Sequence, residues 1–97
     1  MTREKISVGK RLLIVDDDAA QRSLLSGFLS GQGFDVEAAE SGDQAIEMLE
    51  SSDFDMMISD VRMPGMSGLE TLREARSRMR DLPVLLVTGY ADVRGAV

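Results

Sequence analysis

Cysteine, histidine and tryptophan are absent from this 97-residue chain, and lysine occurs only at Lys5 and Lys10. Without cysteine there is no disulfide framework and no thiol chemistry, which fits a reducing compartment and leads to an expected cytoplasmic location. Without histidine, Ser-His-Asp triads, Cys-His pairs and the usual zinc sites are excluded. Carboxylates and hydroxyls remain, so phosphate, if handled here, does not rest on a histidine of this chain and comes from outside. Long apolar stretches are missing too. No run exceeds about six residues, against roughly 20 needed to span a bilayer. The polar opening "MTREKISVGK" has no signal-peptide core. Basic residues are outnumbered 11 to 17, and a net charge of −6 argues against contact with nucleic acid or anionic membrane.

What is present reads as one ordinary globular domain. Apolar residues make up 43% and charged residues 29%, a balance well away from disordered composition. Residues 12–15, "LLIV", form a continuous apolar run of strand length, the kind covered on both faces in a parallel sheet. Asp18 is placed to cap a helix with apolar stripe Leu24, Leu25, Phe28 and Leu29, stopped by Gly31 or Gly33. "FDVEAA" is a short second strand. Ser41 and Gln44 make a capping-box pattern ahead of a helix that buries Ala45, Ile46 and Leu49 and ends near Ser51. Residues 56–59 are the third strand, and Ser67 with Glu70 repeats the capping box before a helix with Leu69, Leu72, Ala75 and Met79 inward. "LPVLLVTG" is the fourth strand, with Pro83 at its start where a missing N–H is tolerated. The seven methionines are scattered and read as core or surface filler.

Strand and helix in strict alternation predict an α/β protein with a parallel sheet and right-handed crossovers. In such sheets ligands bind beyond the carboxyl ends of the strands. Asp16 and Asp17 follow the first strand, Asp60 ends the third and Thr88 ends the fourth, so adjacent strands would gather them at one edge. Each has a plainer role open to it. Asp60 would otherwise be a helix cap or loop acid, Thr88 would satisfy a strand end, and Asp18 is assigned to capping, although three consecutive acids leave the register open by one. Arg73, Arg76, Arg78 and Arg80 are expected on a solvated face beside Glu70 and Glu74.

Three stretches, "LLIVDDDAAQR", "ISDVRMPGMSGLE" and "LPVLLVTGYAD", together resemble the receiver domain of two-component response regulators, the CheY-like family. The wording is most similar to receivers of nitrogen-regulator-type transcriptional activators. The likeness covers residues 11–97, leaving 1–10 as a polar tail. It implies a flavodoxin-like doubly wound sheet of order 2-1-3-4-5, a magnesium ion, and phosphorylation of one aspartate by a sensor histidine kinase or phosphotransfer protein. It also implies a C-terminal output domain, DNA-binding or ATPase. Carried over residue by residue, Asp60 resembles the phosphoacceptor, Asp17 a direct magnesium ligand, and Asp16 a ligand through water. The backbone carbonyl of Arg62 would be a further ligand, Thr88 would hydrogen-bond the phosphoryl group, Ala91 would leave it room, and Pro64 and Gly65 would shape the loop.

The chain departs from that pattern at its end. A fifth strand closing on lysine, an aromatic residue in that strand, and a fifth helix have no counterpart in residues 1–97. The chain is therefore expected to be an incomplete receiver. Lys10 precedes the first strand and would lie at the far end of the sheet from Asp17. The fourth strand becomes an apolar edge, open to a homodimer or strand swap. Three functions follow from these readings. The leading one is a phosphoacceptor switch, itself not an enzyme, acting through Thr88 and the face of a fourth helix that "ADVRGAV" would open. The second is a binding module that no longer switches. The third is a magnesium phosphohydrolase of the haloacid dehalogenase type, for which Asp16 and Asp18 fit the Asp-x-Asp pattern but Ala20 does not.

Overall fold

The apolar run at the start of the chain becomes β1, Arg11–Val15, and its Leu12, Leu13, Ile14 and Val15 are all buried, so both faces of this strand are covered. The computed structural model describes residues 9–60, 68–78 and 81–87. After β1 come α1 (Ala19–Gly31), β2 (Asp35–Ala39), α2 (Gly42–Ser51), β3 (Met56–Asp60), α3 (Gly68–Arg78) and β4 (Val84–Val87). The four strands are parallel in the order β2-β1-β3-β4. That is the expected order as far as β4. Leu13 stands beside Glu37 of β2 and Met57 of β3, and Ile58 stands beside Leu85 of β4.

Side chains alternate across a strand, and the two faces of the sheet are covered unequally. Leu13, Val15 and Met57 share one core cluster with Ala45, Ile46 and Leu49 of α2, Ala75 of α3, and Phe54 and Leu82 from the loops. Leu12 and Ile14 look to the other face, where α1 packs on β1 and β2. No residue of α1 is buried. Its expected stripe is split: Leu25 and Leu29 are half-buried, whereas Leu24 and Phe28 are 68% and 63% exposed. The cause is positional. Helix α1 covers β1 and β2 alone, and Leu24 and Phe28, one turn apart, lie on an arc that no described element meets. On β4, beyond the reach of α1, Leu85 is 50% exposed although it continues the row of Ile14 and Ile58.

Helix α3 also differs from the expected face. Thr71 and Ala75, a helical turn apart, are fully buried, Leu72 is half-buried, and Leu69 is exposed. The buried face of α3 is the one that meets α2, β3 and β4, and Leu69 lies outside it. Met79, Arg80 and Ser67 lie outside the described residues. Arg78 bridges Glu50 of α2 and Glu74 of its own helix, each at 2.5 Å, while the Arg76 guanidinium donates to the Leu82 carbonyl. The arginines are thus partly used to tie α3 to α2 and to the β4 approach.

Both described caps form as the sequence indicates. The Asp18 carboxylate accepts from Ala20 N at 2.9 Å and Gln21 N at 3.3 Å. Ser41 Oγ accepts from Gln44 N at 3.1 Å, and Gln44 Oε1 reaches past Ser41 to accept from Glu40 N at 2.6 Å. Asp18→Ala is expected to lower stability by about 1 kcal/mol, to be checked by urea unfolding at neutral pH.

At the opposite end of the sheet, Arg11 pairs with Asp35 and Glu37, donates to Asp53 O at 2.9 Å, and lies 4.7 Å over the Phe54 ring. Lys10 is exposed at this same end, separated from Asp16 by the length of β1, about 20 Å for six residues.

Candidate functional site

The register of β1 against β3 decides what meets at the carboxyl edge. Val15 stands opposite Ser59, so the next residues along, Asp16 and Asp60, fall side by side. Asp16 N donates to Ala39 O at 3.1 Å, which carries the β1–β2 ladder one residue past the strand. Asp16 is buried, 6% exposed, whereas Asp17 is exposed and Asp60 half-buried. Carboxylate oxygens of all three lie within 4.8 Å of one another. The structure therefore brings together the three acids singled out from the sequence, and Asp18 stands apart as the α1 cap.

The electrostatics of this arrangement are unfavourable without a cation. Burial pushes the Asp16 carboxyl above the usual carboxylate range, and the charges of Asp60, Asp17 and Asp18 push it the same way. A hydrogen bond from Asp18 N, 2.9 Å to Asp16 Oδ1, opposes these effects without cancelling them. Acids gathered in this way suit a small divalent ion. Magnesium takes hard oxygen ligands at about 2.1 Å, so two oxygens across one ion stand about 4.2 Å apart. The span of the cluster fits ligands shared around one ion, directly or through water.

Two residues at this edge escaped the sequence reading. Ser59, fully buried, donates from Oγ to the Asp60 carbonyl at 3.1 Å; its only signal was a small polar residue inside an apolar run. Arg22 of α1 donates from Nη1 to the Asp16 carbonyl at 2.7 Å, and its signal was a lone cation six residues after the acid. The remaining expected site residues, Arg62, Pro64, Gly65, Thr88 and Ala91, lie outside the described residues.

Comparison with known proteins agrees with this geometry. Residues 12–97 match the model of the response regulator receiver domain, and the chain belongs to that family. It is 39% identical over 97 residues to the transcriptional regulatory protein ZraR of Escherichia coli K12, covering 100% of this chain and 21% of that one. With the DNA-binding transcriptional regulator NtrC of Klebsiella pneumoniae it shares 39% identity over 84 residues, covering 87% of this chain and 18% of the relative. The chain thus spans about a fifth of the length of these relatives. Among solved structures, the response regulator TrrA of Thermotoga maritima in complex with Mg(2+)-BeF superposes with a TM-score of 0.80 at 38% identity, over 91% of this chain and 76% of that one. TrrA in complex with the histidine kinase ThkA gives a TM-score of 0.79 at 40% identity, over 84% and 70% of the two chains. The fold is the flavodoxin-like α/β fold of a signalling module, and no helix among the described residues is long and apolar enough to cross a membrane.

Proposed function

We propose that the chain is the phosphoacceptor switch of a two-component system, formed by residues 11–97 and working in the cytoplasm. The observation that carries this reading is the convergence of Asp16, Asp17 and Asp60 within 4.8 Å at the carboxyl edge of the sheet. Asp60, held at the end of β3 by the β3–β4 register with Val87, presents a carboxylate oxygen as nucleophile. That oxygen bonds to phosphorus while the bond from phosphorus to the histidine nitrogen of a sensor kinase or phosphotransfer protein breaks, with its electron pair left on nitrogen. The obstacle is the meeting of two anions. Asp17 directly, Asp16 through water, Asp60 and the Arg62 carbonyl would hold Mg2+, which when bound neutralises charge on the phosphoryl oxygens.

In the same reading Thr88 hydrogen-bonds the phosphoryl oxygen, Pro64 and Gly65 shape the loop that supplies the Arg62 carbonyl, and Ala91 leaves the phosphoryl group room. The switch biases a two-state surface at the fourth helix and thereby a C-terminal output domain. The structure of TrrA with ThkA supports a kinase as donor, and the relatives named as transcriptional regulators support transcription control as output. Incubation with acetyl phosphate and magnesium, followed by intact mass, tests the reading: one added phosphoryl group that disappears with chelator is expected. An unlabelled but folded chain would favour the binding module that does not switch. The phosphohydrolase alternative gives way to the family match over residues 12–97.

A further inference from the structure

The segment from Asp16 to Arg22 is closed on itself by hydrogen bonds. Asp18 N donates to Asp16 Oδ1, Ala20 N and Gln21 N donate to Asp18 Oδ1, and Arg22 N donates to Asp18 O at 3.0 Å. Arg22 Nη1 then reaches back from the first turn of α1 to the Asp16 carbonyl at 2.7 Å. This last bond is charge-assisted and spans the whole loop. Its acceptor belongs to the peptide unit that joins Asp16 to Asp17. A peptide unit is planar, so fixing the direction of its C=O also fixes where the Asp17 Cα is carried. Asp17 depends on that placement, because it is exposed and its side chain has no hydrogen-bond partner among the described residues.

We infer that Arg22 is a positioning residue for the acidic site: through the Asp16 carbonyl it holds the Asp16–Asp17 peptide in the orientation that turns Asp17 toward Asp60 and Asp16. It touches neither ion nor phosphoryl group and acts through the backbone of the two acids. This inference rests on the magnesium-binding reading above. Supporting groups around metal ligands typically contribute 10- to 100-fold in affinity. Arg22 holds its ligands by one backbone bond rather than by contact with a ligand side chain, so the lower end of that range is expected.

The test is magnesium titration by calorimetry on the full chain, with wild type, Arg22→Met, Arg22→Lys and Ile46→Val compared at a temperature where all are folded. Arg22→Met keeps the aliphatic stem and loses the donor, and its magnesium dissociation constant should rise about tenfold. Beryllofluoride binding should still reach the wild-type plateau once magnesium is raised to saturation. Arg22→Lys retains a charged donor and should fall between the two. Ile46→Val, in the α2 core, lowers stability without touching the loop and should leave magnesium affinity unchanged. An Arg22→Met value within twofold of wild type, or an equal loss in Ile46→Val, overturns the positioning role while leaving the acidic site intact. Absence of magnesium binding by folded wild type overturns both the site reading and this one.

Discussion

Asp60→Asn is expected to abolish phosphoryl labelling altogether while leaving the protein folded and, without metal, more stable than wild type. Asparagine keeps the shape of the side chain and the strand that carries it, but its amide oxygen is neither anionic nor able to form a stable acyl phosphate. The remaining acids cannot stand in for it. Asp16 is buried with its Oδ1 engaged by Asp18 N, and Asp17 follows β1 rather than ending the central strand β3. The gain in stability has a separate cause. Among the charges that push the Asp16 carboxyl up, Asp60 contributes most, after the larger effect of burial. Removing that charge relieves repulsion that no magnesium offsets in chelator. Intact mass after acetyl phosphate treatment and thermal melting with chelator check the two halves. Intrinsic fluorescence of Tyr90, the only tyrosine in a chain without tryptophan, supplies a third readout with beryllofluoride. Labelling that survived in Asp60→Asn would move the acceptor to another residue and sink the assignment.

The gathering of the three acids and the central strands were legible in the sequence for one reason, and parts of the helices were not for another. An apolar run such as residues 12–15 states that a strand is covered on both sides, and an acid at its end states that the chain has reached a polar edge. Both are properties of single residues in one strand, and β1, β3, Asp16, Asp17 and Asp60 followed. A helix stripe states only which residues are apolar, and whether a partner covers them depends on the width of the sheet beneath. Leu24 and Phe28 were expected inward with Leu25 and Leu29, yet α1 sits over β1 and β2 alone and leaves the first pair exposed. In α3 the face that meets α2, β3 and β4 carries Thr71 and Ala75 rather than Leu69, so the direction of the neighbours, and not hydrophobicity, decided which residue is buried. Arg22 was invisible for a third reason. Its part is a bond to a backbone carbonyl, and side-chain chemistry in a sequence does not show which carbonyls are left facing a cation.

The second large effect is a stability that depends on pH and magnesium together, and its sign follows from Asp16. The Asp16 carboxyl keeps its proton to higher pH in the folded protein than in the unfolded chain, where the ordinary value is 3.8. As pH rises through 3.8 toward the raised folded value, the unfolded state therefore loses this proton first. The folded state carries more protons across that window, and the Asp16 contribution to stability falls as pH rises. Asp16→Asn retains the oxygen that accepts from Asp18 N and removes the charge. In chelator it should melt higher than wild type at neutral pH, and the difference should vanish as the pH drops below 3.8, where wild-type Asp16 is neutral in both states. Magnesium reverses the order. An ion that binds only the folded protein stabilises it by about 2.7 kcal/mol at 100 times its dissociation constant. For a domain of this size that raises the melting temperature by about 10–20 °C. The gain should appear in wild type at neutral pH, shrink in acid as the carboxylates protonate, and be much smaller in Asp16→Asn at any pH. Thermal melts at several pH values, with magnesium or chelator, measure all of these effects. A wild type whose melting temperature ignored magnesium at neutral pH would show that the three carboxylates gather without forming a cation site. An Asp16→Asn variant less stable than wild type in chelator would show that the burial of Asp16 is offset by contacts beyond the Asp18 N–H and the neighbouring charges.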